Sequence, residues 1–70
     1  MEEILYRIGQ RIAQLRSERG ISQQDLAARC NFEKSNMSRI EYGRSNLTVR
    51  TLLTISQALG VKLRDLVDVE

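Results

Sequence analysis

Apolar residues recur along the chain in steps of three and four. Ile4, Ile8, Ile12 and Leu15 form the first such stripe, with arginines on the other face and Gly20 as the stop, so a first helix is expected here. Gly9 falls in the middle of that stripe. A glycine inside a helix costs about 1 kcal/mol relative to alanine, so residues 1–7 read as a helical extension that frays or meets a partner. Leu26, Ala27 and Cys30 share one face of a second, short helix, for which Ser22 is the N-cap and Asp25 holds the capping-box position. Asn31 comes next. Among residues other than glycine, asparagine best tolerates the left-handed backbone of a tight helix-ending turn. Phe32, Met37 and Ile40 then supply the buried side of a third helix at about 34–41, with Lys34, Ser35, Ser38 and Arg39 turned away from them. Thr48 caps a fourth helix striped by Leu52, Ile55 and Leu59 and ended by Gly60, and a last turn or two runs from Leu63 to about Val67.

No repeat, low-complexity stretch or linker interrupts this pattern. A chain of 70 residues buries only about 60% of its unfolded surface, which leaves no material for a second core. One domain over residues 1–70, all-α and built as a compact five-helix bundle, is the expected fold. The composition agrees, with 41% hydrophobic and 29% charged residues and no proline.

The single cysteine, Cys30, excludes an internal disulfide, and its place on an apolar helical face makes it a small core residue. The N-terminal residues lack the basic flank and apolar run of a secretory signal, and no stretch reaches the roughly 18 to 20 apolar residues of a membrane span. A soluble, cytoplasmic protein is expected, with no membrane partner. Without histidine, a Gly-rich phosphate loop or carboxylates at metal-ligand spacing, the chain offers no catalytic or metal site, and neither a cofactor nor a small-molecule ligand is implied.

A net charge of +2 is modest, but its distribution is uneven. Arg29, Lys34, Arg39, Arg44 and Arg50 face only Glu33 and Glu41 between residues 29 and 50, a local net of +3, whereas Glu2, Glu3, Asp65, Asp68 and Glu70 crowd the two ends. An anionic partner should meet the middle.

That middle is a helix, a short turn and a second helix. Two helices crossing steeply after so short a turn need a small residue at the contact, here Ala27, and a left-handed turn residue, here Asn31. The second helix, about 34–41, is a candidate recognition helix for the roughly 12 Å wide major groove. Lys34 and Arg39 suit guanine O6 and N7, and Ser35 and Ser38 can donate to or accept from several bases. Gln23 and the N–H groups at the start of the second helix suit a phosphate oxygen. Gly43-Arg44-Ser45-Asn46 offers backbone amides and one cation to a second phosphate. Asn36 and Tyr42 join the candidate phosphate contacts, although the Tyr42 phenol has an alternative in packing beside the motif.

Over residues 8–67 the chain resembles the Cro and phage-repressor type helix-turn-helix domains. Ile21-Ser22-Gln23-Gln24-Asp25-Leu26-Ala27, Ser38-Arg39-Ile40-Glu41-Tyr42-Gly43-Arg44 and Thr51-Leu52-Leu53-Thr54-Ile55-Ser56-Gln57-Ala58-Leu59-Gly60-Val61 look like that family's blocks, in order and at its spacing. The resemblance implies a five-helix DNA-binding domain of the phage-repressor type and a transcription regulator, often a repressor, dimeric on a near-palindromic operator. It also implies an ion pair between Arg16 and Glu41. Asn31 stands where the family has Gly, and Glu33 and Lys62 stand where it has a Ser or Thr cap.

Two other functions fit the same residues. One is a restriction-modification controller protein, similar in size and in segments such as Ser45-Asn46-Leu47-Thr48; the other is an autoregulating antitoxin whose main partner is a protein. A protein-binding version should expose apolar residues on the third helix. For the homodimer, Leu63, Leu66, Val67 and Val69 at one end and Ile4 and Leu5 at the other are alternative contacts, or they close the core.

Overall fold

The computed structural model describes residues 2–70. It contains five helices in the order α1 (Glu3–Glu18), α2 (Gln23–Cys30), α3 (Lys34–Glu41), α4 (Val49–Leu59) and α5 (Leu63–Val67). Met1 lies outside the described residues, and α1 runs unbroken from Glu3 through Gly9. Ile8, Ile12, Leu15, Leu26, Met37, Ile40, Ile55, Leu59 and Leu66 are buried together, so the stripes of all five helices meet in one core. Phe32 precedes α3 and is half-buried against that core.

Local chemistry sets the boundaries. Ser22 Oγ accepts the Asp25 N–H at 3.0 Å, and Thr48 Oγ1 accepts the Thr51 N–H at 3.0 Å, so both caps satisfy donors that the first helical turn leaves unpaired. Asn31 adopts φ 60° and ψ 38°, the left-handed conformation expected of it, and the following Phe32 N–H reaches back to the Ala27 carbonyl at 2.8 Å. Gly60 ends α4 at φ 74°. The Glu33 side chain makes no cap bond to α3. At α5 the ammonium of Lys62 cannot accept a hydrogen bond, and the Asp65 carboxylate supplies the other half of a capping box by accepting the Lys62 N–H at 3.0 Å.

Gly9 has a tertiary reason. A Cβ there would lie 2.4 Å from the Glu41 carbonyl oxygen and 2.5 Å from that of Ile40, so α1 crosses the C-terminal end of α3 at a distance that only glycine permits. Gly43 repeats the arrangement from the other side. Its φ is +72°, and a Cβ would fall 2.5 Å from Tyr6 Cα. The sequence reading of Gly9 as a weak point is thus incomplete, because the helix propensity lost at Gly9 is exchanged for close packing.

Candidate nucleic-acid interface

The site is built around how α3 is held. Met37, Ile40 and Glu41 are its buried residues, while Lys34, Ser35 and Arg39 are exposed and Asn36 and Ser38 are half-buried. No large apolar side chain of α3 is exposed. The face turned to solvent is therefore polar and cationic, as the spacing of Lys34, Ser35, Ser38 and Arg39 predicts.

Glu41 anchors the far end of that helix. Its side chain is 5% exposed, and Arg16 grips it with two bonds, Nε to Oε2 at 2.7 Å and Nη2 to Oε1 at 3.1 Å. The third arm of the guanidinium donates to the Ile21 carbonyl at 2.8 Å, tying the turn before α2 to the same hub. Gln23 adds a bond from Nε2 to Glu41 Oε1 at 2.9 Å. One carboxylate thus joins α1, α2 and α3, with the charge matched and the geometry bidentate. No buried side-chain N or O atom among the described residues lacks a partner.

Gln23 was expected only as a phosphate contact, and the structure gives one of its amide protons to Glu41. Its second N–H remains. The loop after α3 differs more. The Gly43 N–H donates to the Ile40 carbonyl at 3.1 Å and the Arg44 N–H to the Arg39 carbonyl at 2.8 Å. These amides close the last turn of α3, whose carbonyls have no helical donor, and so they are not offered to a phosphate as the sequence suggested. The Arg44 side chain is exposed, and so is Asn46 beyond it.

Ser35, Asn36 and Arg39 come together with Asn31, Phe32 and Glu33 around a shallow depression of about 380 Å³ at the start of α3. Asn36 therefore sits beside the proposed base-facing set. Tyr42 is 63% exposed and lines a groove with Gln23 and Glu41, so both readings of its phenol, packing beside the motif and reaching a phosphate, stay open. Cys30 is buried, and desolvation raises its thiol above the usual value of 9.0, so it packs as a neutral side chain. No group of His, Cys, Asp and Glu among the described residues is placed to hold a metal ion. No described helix is long and apolar enough to cross a membrane.

Sequence reasoning passed over Tyr6 and Gln10, and it named Gly43 only for its backbone amide. Tyr6 and Gln10 are one helical turn apart, which is a legible signal for a side-chain pair but not for what lies beside it.

The profile of the helix-turn-helix domain family matches residues 7–69. The chain belongs to that family. It is 43% identical over 60 residues to an HTH-type transcriptional regulator of Sinorhizobium fredii, y4dJ, covering 86% of this chain and 78% of the relative. Among solved structures, the restriction-modification controller protein C.AhdI from Aeromonas hydrophila superposes with a TM-score of 0.90 at 31% identity, covering 93% of this chain and 98% of that one. The controller protein C.Esp1396I, solved as a tetramer on its natural 35 base-pair operator, gives a TM-score of 0.82 at 32% identity, covering 89% of this chain and 82% of that one. The five-helix architecture of the phage-repressor type is thereby shown.

Proposed function

We propose that the protein is a sequence-specific regulator of transcription that binds double-stranded DNA as a homodimer, with α3 in the major groove of a near-palindromic operator. The observation that carries this reading is the exposed Lys34, Ser35 and Arg39 on a helix whose other side is buried and whose end is fixed through Glu41. Such a face matches the donor and acceptor edges of base pairs, with Arg39 and Lys34 suited to guanine. Gln23, Asn36, Tyr42, Arg44 and Asn46 flank it as backbone contacts that set the register. Likeness to the operator-bound C.Esp1396I tetramer supports both the duplex and an oligomer. For the dimer contact, Val49 and Leu53 of α4 and Val67 of α5 are exposed, whereas Leu66 is fully buried and Leu63, Val69 and Ile4 pack against the core. A cytoplasmic location and the lack of catalysis, cofactor or small-molecule effector belong to the same reading.

Selection of bound sequences from a random duplex library at physiological salt, with the mass of the complex measured on the winning site, tests it. Enrichment of a two-fold symmetric motif with half-site centres about 34 Å apart, bound by two chains or a multiple of two, is the expected result. Weak, salt-sensitive binding with no enriched motif contradicts it.

A narrower second reading is a controller of a restriction-modification system. It is favoured by the match to C.AhdI over 98% of that chain. An enriched site lying upstream of restriction and methylation genes supports it, and a site elsewhere counts against it.

A further inference from the structure

Tyr6 and Tyr42 both line two adjoining grooves. On one side, a groove of about 260 Å³ is lined by Tyr6, Gln10, Ala13, Arg16, Gln23, Glu41 and Tyr42, so it lies where α1, α2 and the end of α3 meet. On the other, Tyr6 and Tyr42 share a depression with Arg44 and the carboxylates of Glu2 and Glu3. The two sides differ in what they offer an anion. In the first, the only full charges are Arg16 and Glu41, which neutralise each other, and the remaining polar groups are neutral donors. In the second, the cation of Arg44 stands with the carboxylates of Glu2 and Glu3, which offset part of its charge, although Glu3 is also paired with Arg7.

The Tyr6 phenol is prepared to donate. Gln10 Nε2 donates to Tyr6 Oη at 2.8 Å, which occupies a lone pair of the hydroxyl and leaves its proton for an outside acceptor. The tyrosine is 45% exposed, and its backbone is pressed against Gly43, where a Cβ would come within 2.5 Å of Tyr6 Cα. Its position is thus tied to the end of α3. Gln23, in the same groove, spends one amide proton on Glu41 and retains another pointing from a held side chain.

We infer that Tyr6 is a DNA-backbone contact: its hydroxyl, oriented by Gln10, donates to an oxygen of the phosphate that lies over the groove Tyr6 shares with Gln23. This rests on the DNA-binding reading above. It extends the interface onto α1, outside the helix-turn-helix. It also assigns Gly43 a second role, since the missing side chain lets Tyr6 approach.

The test compares wild type, Tyr6→Phe, Gln10→Ala and Arg44→Ala on a fluorescent mixed-sequence duplex and on the selected duplex, over a series of salt concentrations. Tyr6→Phe removes the hydroxyl and keeps the ring, so an unchanged melting temperature and about three- to tenfold weaker binding to both duplexes are expected. The slope of log K against log salt should stay at the wild-type value, because no cation is lost, whereas Arg44→Ala lowers it by about one. Gln10→Ala should give a smaller loss in the same direction. A scan of single neutral methylphosphonates through the duplex should find one phosphate whose substitution weakens wild type but leaves Tyr6→Phe unaffected. Wild-type affinity in Tyr6→Phe, beside a weakened Arg44→Ala, overturns the contact while leaving the DNA reading intact. A loss that tracks a fall in melting temperature overturns it in favour of a structural role, and failure of wild type to bind either duplex overturns both.

Discussion

The two ends of α3 are held in opposite ways. At the C-terminal end, Glu41 is buried and takes three hydrogen bonds from Arg16 and Gln23, and Gly9 lets the backbone of α1 rest on the Ile40 and Glu41 carbonyls. The N-terminal end has an exposed Glu33 with no side-chain cap bond, followed by the exposed Lys34 and Ser35. One end fixes where the helix points, and the other leaves the polar groups with few competing partners inside the protein. A helix that must present side chains to base edges needs both conditions, since orientation is set by packing while the contacting groups must still be open to exchange water for bases.

Breaking the anchored end should have the largest effect. Arg16→Met leaves the Glu41 carboxylate buried without its cation, so a loss of about 3 kcal/mol in unfolding free energy is expected by urea titration. Gly9→Ala follows, at about 2 kcal/mol, because the added methyl meets backbone atoms rather than a side chain that can swing away. Alanine's better helix propensity, about 1 kcal/mol, offsets only part of that clash. If Gly9→Ala instead stabilises the protein, the close crossing of α1 and α3 is wrong.

On the exposed face of α3, which runs from Lys34 to Arg39 in the last turn, the effects should appear in binding before stability. Arg39→Ala is expected to cost about 1 to 3 kcal/mol on the selected site and to relax base preference at one position, with little change in melting temperature. Equal discrimination between selected and mixed-sequence duplexes in wild type and variant contradicts its base-facing role. The smallest effect sharpens the contrast from the other direction. Glu33→Ser supplies the missing cap at the cost of a favourable carboxylate at the helix N-terminus, for a net gain of about 0.5 kcal/mol in stability. α2 and α4, already capped by Ser22 and Thr48, offer no such gain.

The difference between the ends also explains what was legible from sequence. Caps and turns are local: Ser22, Thr48, Asn31 and Gly60 act on backbone within a few residues, and each behaves as its residue type predicts. The apolar stripes were equally readable, since period and burial go together. What escaped was long-range. Gly9 looks like a defect until Glu41, far along the chain, is placed against it. Gln23 looks like a free amide until Glu41 is brought within 2.9 Å. The Gly43 and Arg44 amides look available until the carbonyls of Ile40 and Arg39 need them. In each case a tertiary or helix-closing partner competes for a group that local reasoning assigns to the ligand. The Arg16–Glu41 pair was accessible only because the whole pattern resembled a family in which that pairing recurs.

The most direct test of the proposed interface is to follow the backbone amide resonances of the isotope-labelled protein by NMR as the selected duplex is added. The largest shifts are expected in α3, at Lys34, Ser35, Ser38 and Arg39, with a second set at Gln23, Tyr42 and Arg44 on the flanking backbone contacts. Shifts confined to α4 and α5, with the outer face of α3 unmoved, contradict the assignment of α3 as the helix that reads DNA.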